Sequence, residues 1–244
     1  MRLNKYISET GVCSRREADK WIEQGRVTCN GAPAVLGTRV GAGDEIRVDG
    51  KLIGAKPRPV YIALHKPVGV TCTNEAHVER NIIDLVGHAE RIFPIGRLDK
   101  DSEGLILLTN DGDIVNDILR AENNHEKEYV VTVDRPITEL SLNMMAGGVR
   151  IMGEMTRPAK VSRISAETFR IILTQGLNRQ IRRMCSALGY QVQRLARVRI
   201  MNIHLGALPA GAWRDLTAAE LAGLLPKTRA AARSPGLAPP PAVD

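Results

Sequence analysis

Residues 96–109 read GRLDKDSEGLILLT, an acidic loop bounded by glycines that passes directly into an apolar strand at 105–109. A strand of this composition belongs in a buried sheet, and a loop anchored on it is held still, which is where catalytic groups tend to sit. Further strand-like segments occur at 60–65, 128–133, 169–174 and 198–205, and helices are expected at 111–121, 138–147 and 179–188. Strands and helices do not alternate regularly. The expected fold is therefore α+β, with a mixed, mainly antiparallel sheet.

The first fifty residues read as a separate small module. A short amphipathic helix is expected around 3–8, ended near Gly11, and a second starts at Ser14, where Ser14 and Glu17 form a plausible capping box. Ala18, Trp21 and Ile22 give that second helix one buried stripe, with Arg15, Arg16 and Lys20 off it. Asn-Gly and Asp-Gly pairs then separate short alternating segments, as small antiparallel strands require. The expected organisation is a module at 1–50, a linker at 51–59, a main domain at 60–225 and a disordered, Ala- and Pro-rich tail at 226–244.

Charge suggests the partner. The net charge is +7, yet residues 168–214 contain no Asp or Glu and eight arginines: Arg170, Arg179, Arg182, Arg183, Arg194, Arg197, Arg199 and Arg214. This window alone exceeds the surplus of the whole chain. An Arg-rich stretch without acids is expected to meet a polyanion, and nucleic acid is the obvious one. Cys13, Cys29, Cys72 and Cys185 have no CxxC spacing, and the N-terminus lacks an apolar signal region, so free thiols in the cytoplasm are expected. No apolar run reaches the length of a membrane span. Without GxGxxG, Walker or HExxH patterns, or metal-binding histidine spacing, no cofactor or metal is expected.

In the acidic loop, Asp99, Asp101 and Glu103 form a DxDxE run that by composition could hold a divalent metal. Arg97 and Lys100 flank Asp99, however. They would repel a cation and favour the anionic form that a nucleophilic carboxylate needs. Gln180 to Leu188 carries a second pattern: Ile181, Met184, Cys185 and Leu188 recur at helical spacing. Arg182 borders that buried stripe and needs a carboxylate, whereas Arg179 and Arg183 are placed to reach phosphates.

RLNKYISETGVCSRREADKWIEQGRVTCNG, from Arg2 onward, resembles the S4 RNA-binding domain. The resemblance and the charge pattern together point to Arg2, Lys5, Arg15, Arg16, Lys20 and Arg26 as its RNA-facing side. GRLDKDSEGL resembles the central motif of RNA pseudouridine synthases, whose Asp, here Asp99, is the catalytic residue. HKPVG at 65–69 is similar to that family's K-P-x-G segment, and KEY at 127–129 to its K-x-Y segment, whose tyrosine contacts the target base. GLNRQIRRM at 176–184 is similar to its late motif, whose Arg, here Arg182, pairs with the catalytic Asp. An S4 module before this core resembles the RsuA/RluF-type branch, and the segment around 125–139 is closest to the RluF subgroup.

The resemblance implies cofactor-independent isomerisation of a uridine in ribosomal RNA, with 23S large-subunit RNA as substrate and a transfer RNA stem-loop as a further candidate. It assigns catalysis to Asp99, Tyr129 and Arg182. Arg97 would fill the gap left by a flipped base, and Lys66, Arg179, Arg183 and Leu195 complete the expected substrate contacts. One core suggests a monomer. Two rival readings are a non-catalytic ribosome-assembly factor, which leaves Asp99, Tyr129 and Arg182 without a role, and a metal-dependent nuclease built on Asp99, Asp101 and Glu103.

Overall fold

The computed structural model describes residues 1–75, 77–119 and 125–224. Helices α1 (Leu3–Glu9) and α2 (Arg15–Glu23) precede β1 (Val27–Cys29), β2 (Ala32–Pro33), β3 (Ile46–Val48) and β4 (Lys51–Leu52). The Ser14 hydroxyl accepts from the Glu17 amide at 3.1 Å and caps α2, as the sequence predicted. Leu3, Ile7, Ala18, Ile22, Val27 and Ile46 form the core of this module, with Trp21 packed at its edge. The four strands pair in the order β2-β1-β3-β4. β4 and the packing of Ile53 carry the module past residue 50, so the first part of the linker expected at 51–59 belongs to the sheet.

The rest of the chain gives β5 (Tyr61–Lys66), α3 (Ile82–Val86), β6 (Phe93–Ile95), β7 (Glu103–Thr109), α4 (Gly112–Leu119), β8 (Lys127–Val133) and α5 (Glu139–Gly147). It continues with β9 (Arg150–Ile151), β10 (Glu154–Met155), β11 (Lys160–Arg163), β12 (Thr168–Leu173) and α6 (Gln180–Ala187). The last elements are β13 (Val192–Ile200), β14 (Ile203–His204), β15 (Trp213–Asp215) and α7 (Ala218–Leu224). The tail expected at 226–244 lies outside the described residues.

A nine-stranded sheet runs β11-β12-β8-β13-β7-β5-β15, with β14 on β13 and β6 on β7. The β13–β7 pairing is parallel and its other pairings are antiparallel, which is the expected α+β arrangement. β7 is buried on both faces: Leu105 and Leu107 join one core, Ile106 and Leu108 the other. Alternation with period two puts successive side chains on opposite sides. Each such residue contributes about 1.5–3 kcal/mol of apolar burial. The acidic loop therefore leads into one of the best-anchored strands in the molecule.

The strand expected at 198–205 is two strands. β13 begins earlier, at Val192, and ends at Ile200; Met201 then takes φ 50° and the chain reverses into β14. Arg194, Arg197 and Arg199 concealed the first half of β13, because their charge masks a strand whose Leu195, Ala196 and Ile200 are buried.

Candidate active site

Four parts of the chain hold the loop between β6 and β7. The Lys66 ammonium donates to the Ser102 carbonyl at 2.7 Å and the Pro67 carbonyl at 2.9 Å. The Gly69 amide donates to the Lys100 carbonyl at 2.7 Å, and the Leu98 amide to the Cys72 sulfur at 3.4 Å. Arg182 donates from Nη2 to the Asp101 carbonyl at 2.8 Å and the Ser102 hydroxyl at 3.1 Å. Ser102 is itself 1% exposed. Asp99 thus sits on a loop whose backbone is fixed from both sides, with its own side chain 31% exposed.

Lys66 is fully buried, so the RNA contact expected of it is corrected: it is an internal strut of the loop. Burial pushes its pKa below the usual lysine range, which the charges of nearby Asp101 and Asp99 offset only in part.

Two arginines from the start of α6 face the acids. Arg179 binds Asp101 through two nitrogens at 3.2 and 3.1 Å, and its Nη1 lies 3.3 Å from Asp99 Oδ2. Arg182 Nε lies 4.0 Å from Asp99 Oδ2 and 3.5 Å from Asp101 Oδ2. Arg179 has φ 50°, a left-handed conformation that costs a non-glycine residue about 1–2 kcal/mol. That turn precedes Gln180, where the helix begins. Hydrogen bonding to Arg179 holds the Asp101 carboxyl below its usual pKa. Sequence reasoning pairs Arg182 with the carboxylate and leaves Arg179 for phosphates; in the structure Arg179 is the closer of the two to Asp99. Arg183 is exposed and bonds the Asn178 carbonyl and side chain.

A cavity of about 420 Å³ opens beside Asp99. Its walls include Arg97, Tyr129, Leu195, Gln180 and three cations the sequence had not assigned, Lys127, Arg157 and Arg197. Tyr129 is half-buried and packs between two cores, Leu195 is buried, and Arg97 is exposed at the edge. Lys127 stood within the quoted K-x-Y segment, and Arg197 was one of the eight counted arginines. What sequence could not supply was the pairing of β13 with β8 that places Arg197 opposite Tyr129.

The arginine window is less free than its composition suggests. Acids from other segments pair with Arg170 (Glu128), Arg179 (Asp101), Arg182 (Asp101), Arg194 (Glu103), Arg199 (Glu126 and Glu128) and Arg214 (Glu220). Among the described residues, only Arg183 and Arg197 of the eight have no carboxylate within 4.0 Å. Strand pairing brings in acids distant in sequence, so most of these arginines are opposed in the fold though not in the sequence window. Glu103 and Asp101 are likewise taken up by Arg194 and Arg179. No group of three His, Cys, Asp or Glu converges as metal ligands among the described residues.

In the N-terminal module Arg2, Arg15, Arg16 and Lys20 are exposed. Lys5 instead reaches Asp113 of α4 at 2.5 Å and Glu9 at 3.5 Å, and Arg26 lies on Trp21 and pairs with Asp49. Both of these cations therefore have acidic partners within the protein. The four cysteines are free thiols, and no described helix is long and apolar enough to cross a membrane.

Comparisons with known proteins show the family and the fold. The family described as RNA pseudouridylate synthase matches residues 60–187, and the S4 domain matches residues 1–46. The chain is 58% identical over 228 residues to the dual-specificity RNA pseudouridine synthase RluF of Escherichia coli K12, covering 92% of this chain and 78% of the relative. It is 35% identical over 229 residues to the ribosomal large subunit pseudouridine synthase B of Bacillus subtilis, covering 90% and 93%. A crystal structure of a pseudouridylate synthase superposes with TM-score 0.69 at 32% identity, over 92% of this chain and 100% of that one.

Proposed function

The chain belongs to the RNA pseudouridylate synthase family, and we propose that it isomerises a uridine of large-subunit ribosomal RNA, with Asp99 as the reacting carboxylate and no cofactor. One observation supports the assignment to Asp99 above the others. Of the three loop acids, Asp99 alone lines the cavity containing Tyr129, while Asp101 and Glu103 are engaged by Arg179 and Arg194. The large-subunit target rests on the name of the Bacillus subtilis relative. The dual specificity named for the Escherichia coli relative favours a second RNA, for which a transfer RNA stem-loop is the candidate.

RNA docks on exposed Arg2, Arg15, Arg16 and Lys20, and the target uridine leaves its stack to enter the cavity. Arg97, exposed at the rim, fills the gap it leaves. Asp99 then acts at the sugar, by attack at C1′ or proton removal at C2′, and the N-glycosidic bond breaks. Arg179 and Arg182 keep its carboxylate aimed. Tyr129 and the Leu195 wall hold the free uracil while it turns and rejoins the sugar through C5. Substrate and product are isomers, so the overall reaction consumes no reductant, oxidant or nucleotide.

The test is to incubate the protein with unmodified ribosomal and transfer RNA and map new pseudouridines by chemical labelling and primer extension. A single new site in large-subunit RNA is the expected result, with or without one in a transfer RNA. Modification confined to small-subunit RNA would overturn the proposed substrate.

A further inference from the structure

Arg197 is 4% exposed, lines the cavity, and spends only part of its hydrogen-bonding capacity. Its Nε donates to the Leu105 carbonyl at 2.7 Å, while Nη2 is buried without a partner. It also lacks a carboxylate within 4.0 Å among the described residues. A buried guanidinium left this way is costly, and folds normally avoid it. Such an orphan next to a cavity points to a ligand that completes it.

A second cation shares the site. Arg197 stands directly opposite Tyr129 across the β13–β8 pair, so both side chains lie on one face of the sheet. Lys127, two residues before Tyr129 on β8, falls on the same face and lines the same cavity. Among the described residues, the Lys127 ammonium makes one hydrogen bond, a long 3.4 Å contact to the His125 carbonyl. Burial, and then the charge of Arg197, lower its pKa below the usual lysine range. Asp99 lines the same cavity and is faced by a different pair of cations, Arg179 and Arg182.

The reaction creates a charge that fits this pair. When the N1–C1′ bond breaks, the bonding electrons stay on uracil N1 and spread to O2 and O4, leaving an anionic base. We propose that Arg197 and Lys127 form a cationic wall that stabilises the released uracil anion by hydrogen bonding to its carbonyl oxygens. The proposal rests on the reading of the cavity as the uracil site. On the C1′ route, an Asp99 oxygen bonds C1′ as N1 departs with its pair. C5 then bonds C1′ as the Asp99 oxygen leaves; one proton is lost from C5 and one is gained at N1. The wall acts on the anion that exists between these two bond changes. Tyr129, on the same face, gives the base its packing surface while it turns.

The experiment compares Lys127→Met, Lys127→Arg, Arg197→Gln and Arg197→Lys with the parent protein in single-turnover reactions. Two ribosomal RNA transcripts are used, one carrying uridine and one 5-fluorouridine, and the step up to C5–C1′ bonding is followed as loss of the N-linked nucleoside by liquid chromatography of nuclease digests, because the fluorinated base has no C5 proton to release. Fluorine withdraws electrons and stabilises the departing base by itself. Removing either charge is expected to slow uridine conversion about 10²-fold at saturating RNA with little change in affinity. The charge-preserving variants should keep most of the rate, and the defect should shrink about tenfold on 5-fluorouridine.

Equal defects on both transcripts, a loss confined to affinity, or charge-preserving variants as slow as the neutral ones would overturn the proposal. If Arg197→Gln fails to fold, Lys127→Met, at a half-buried position, carries the comparison. Parent protein that converts no RNA at all would overturn the uracil-site reading together with the wall.

Discussion

Gly104 is the point where the catalytic loop becomes strand β7, and it is a position where a methyl group has no room. Its φ is +107°, and an added Cβ would lie 2.3 Å from the Arg197 carbonyl oxygen, 2.6 Å from its nitrogen and 2.9 Å from its carbonyl carbon. Carbon and oxygen normally approach to about 3.3 Å, so β7 and β13 would have to part by about 1 Å. The backbone conformation alone costs alanine about 1–2 kcal/mol. Losing two interstrand hydrogen bonds at about 1 kcal/mol each, and some packing, brings Gly104→Ala to about 3–5 kcal/mol. That is a large share of the roughly 5–15 kcal/mol that holds a domain folded. Gly153, in the turn between β9 and β10, is the control: its φ is +86° and nothing lies within 4 Å of an added Cβ. Gly153→Ala should cost only the conformational part. In urea titrations, with a slope of about 2–3 kcal/mol per M, the Gly104→Ala midpoint should fall about 1–2 M and the control by under 1 M. Equal midpoints for the two variants would refute the steric argument and the close β7–β13 approach behind it.

Arg182→Ala should cost far more turnover than RNA affinity, about 10²-fold against less than threefold, because Arg182 fixes the Asp101–Ser102 backbone and faces Asp99. Arg179→Ala, which removes the arginine nearer to Asp99 and the bidentate partner of Asp101, should likewise cost more turnover than affinity; single-turnover kinetics and filter binding separate the two effects. Replacing exposed Arg15, Arg16 and Lys20 together by Ala should lower the slope of log affinity against log salt by about 2–3, and an unchanged slope would remove this helix from the RNA interface. Arg214 pulls the Glu220 carboxyl from 4.5 down to about 2. A depressed acid contributes stability that is complete above pH 4.5 and lost as pH falls to about 2, so Glu220→Gln should flatten acid unfolding in that window.

The parts of this molecule that were legible in sequence are those fixed by neighbours in the chain. The Ser14 cap, the stripe of Ile181, Met184 and Cys185 in α6, and the passage from loop to β7 are local patterns, and each forms as read. The sheet order was not legible, because it depends on pairings such as β13 with β7 and with β8, made between residues 59 to 93 positions apart. That gap explains the particular misreadings. Lys66 looks like a surface cation until β5 pairs with β7 and seals it beneath the loop. The arginines of 168–214 look unopposed until β8 presents Glu128 and the loop presents Asp101 and Glu103. Arg197 looked like one more basic residue, yet it is buried in the wall of the candidate site.

The assignment of the reaction to Asp99 is tested most directly by tritium release from ribosomal RNA labelled at uridine C5, comparing the parent protein with Asp99→Asn. The variant keeps the size of the side chain and removes its charge. Release by the parent and none by the variant, with RNA affinity unchanged, is the expected result. Release by Asp99→Asn at a comparable rate would contradict the account, and would move the reacting group elsewhere in the cavity.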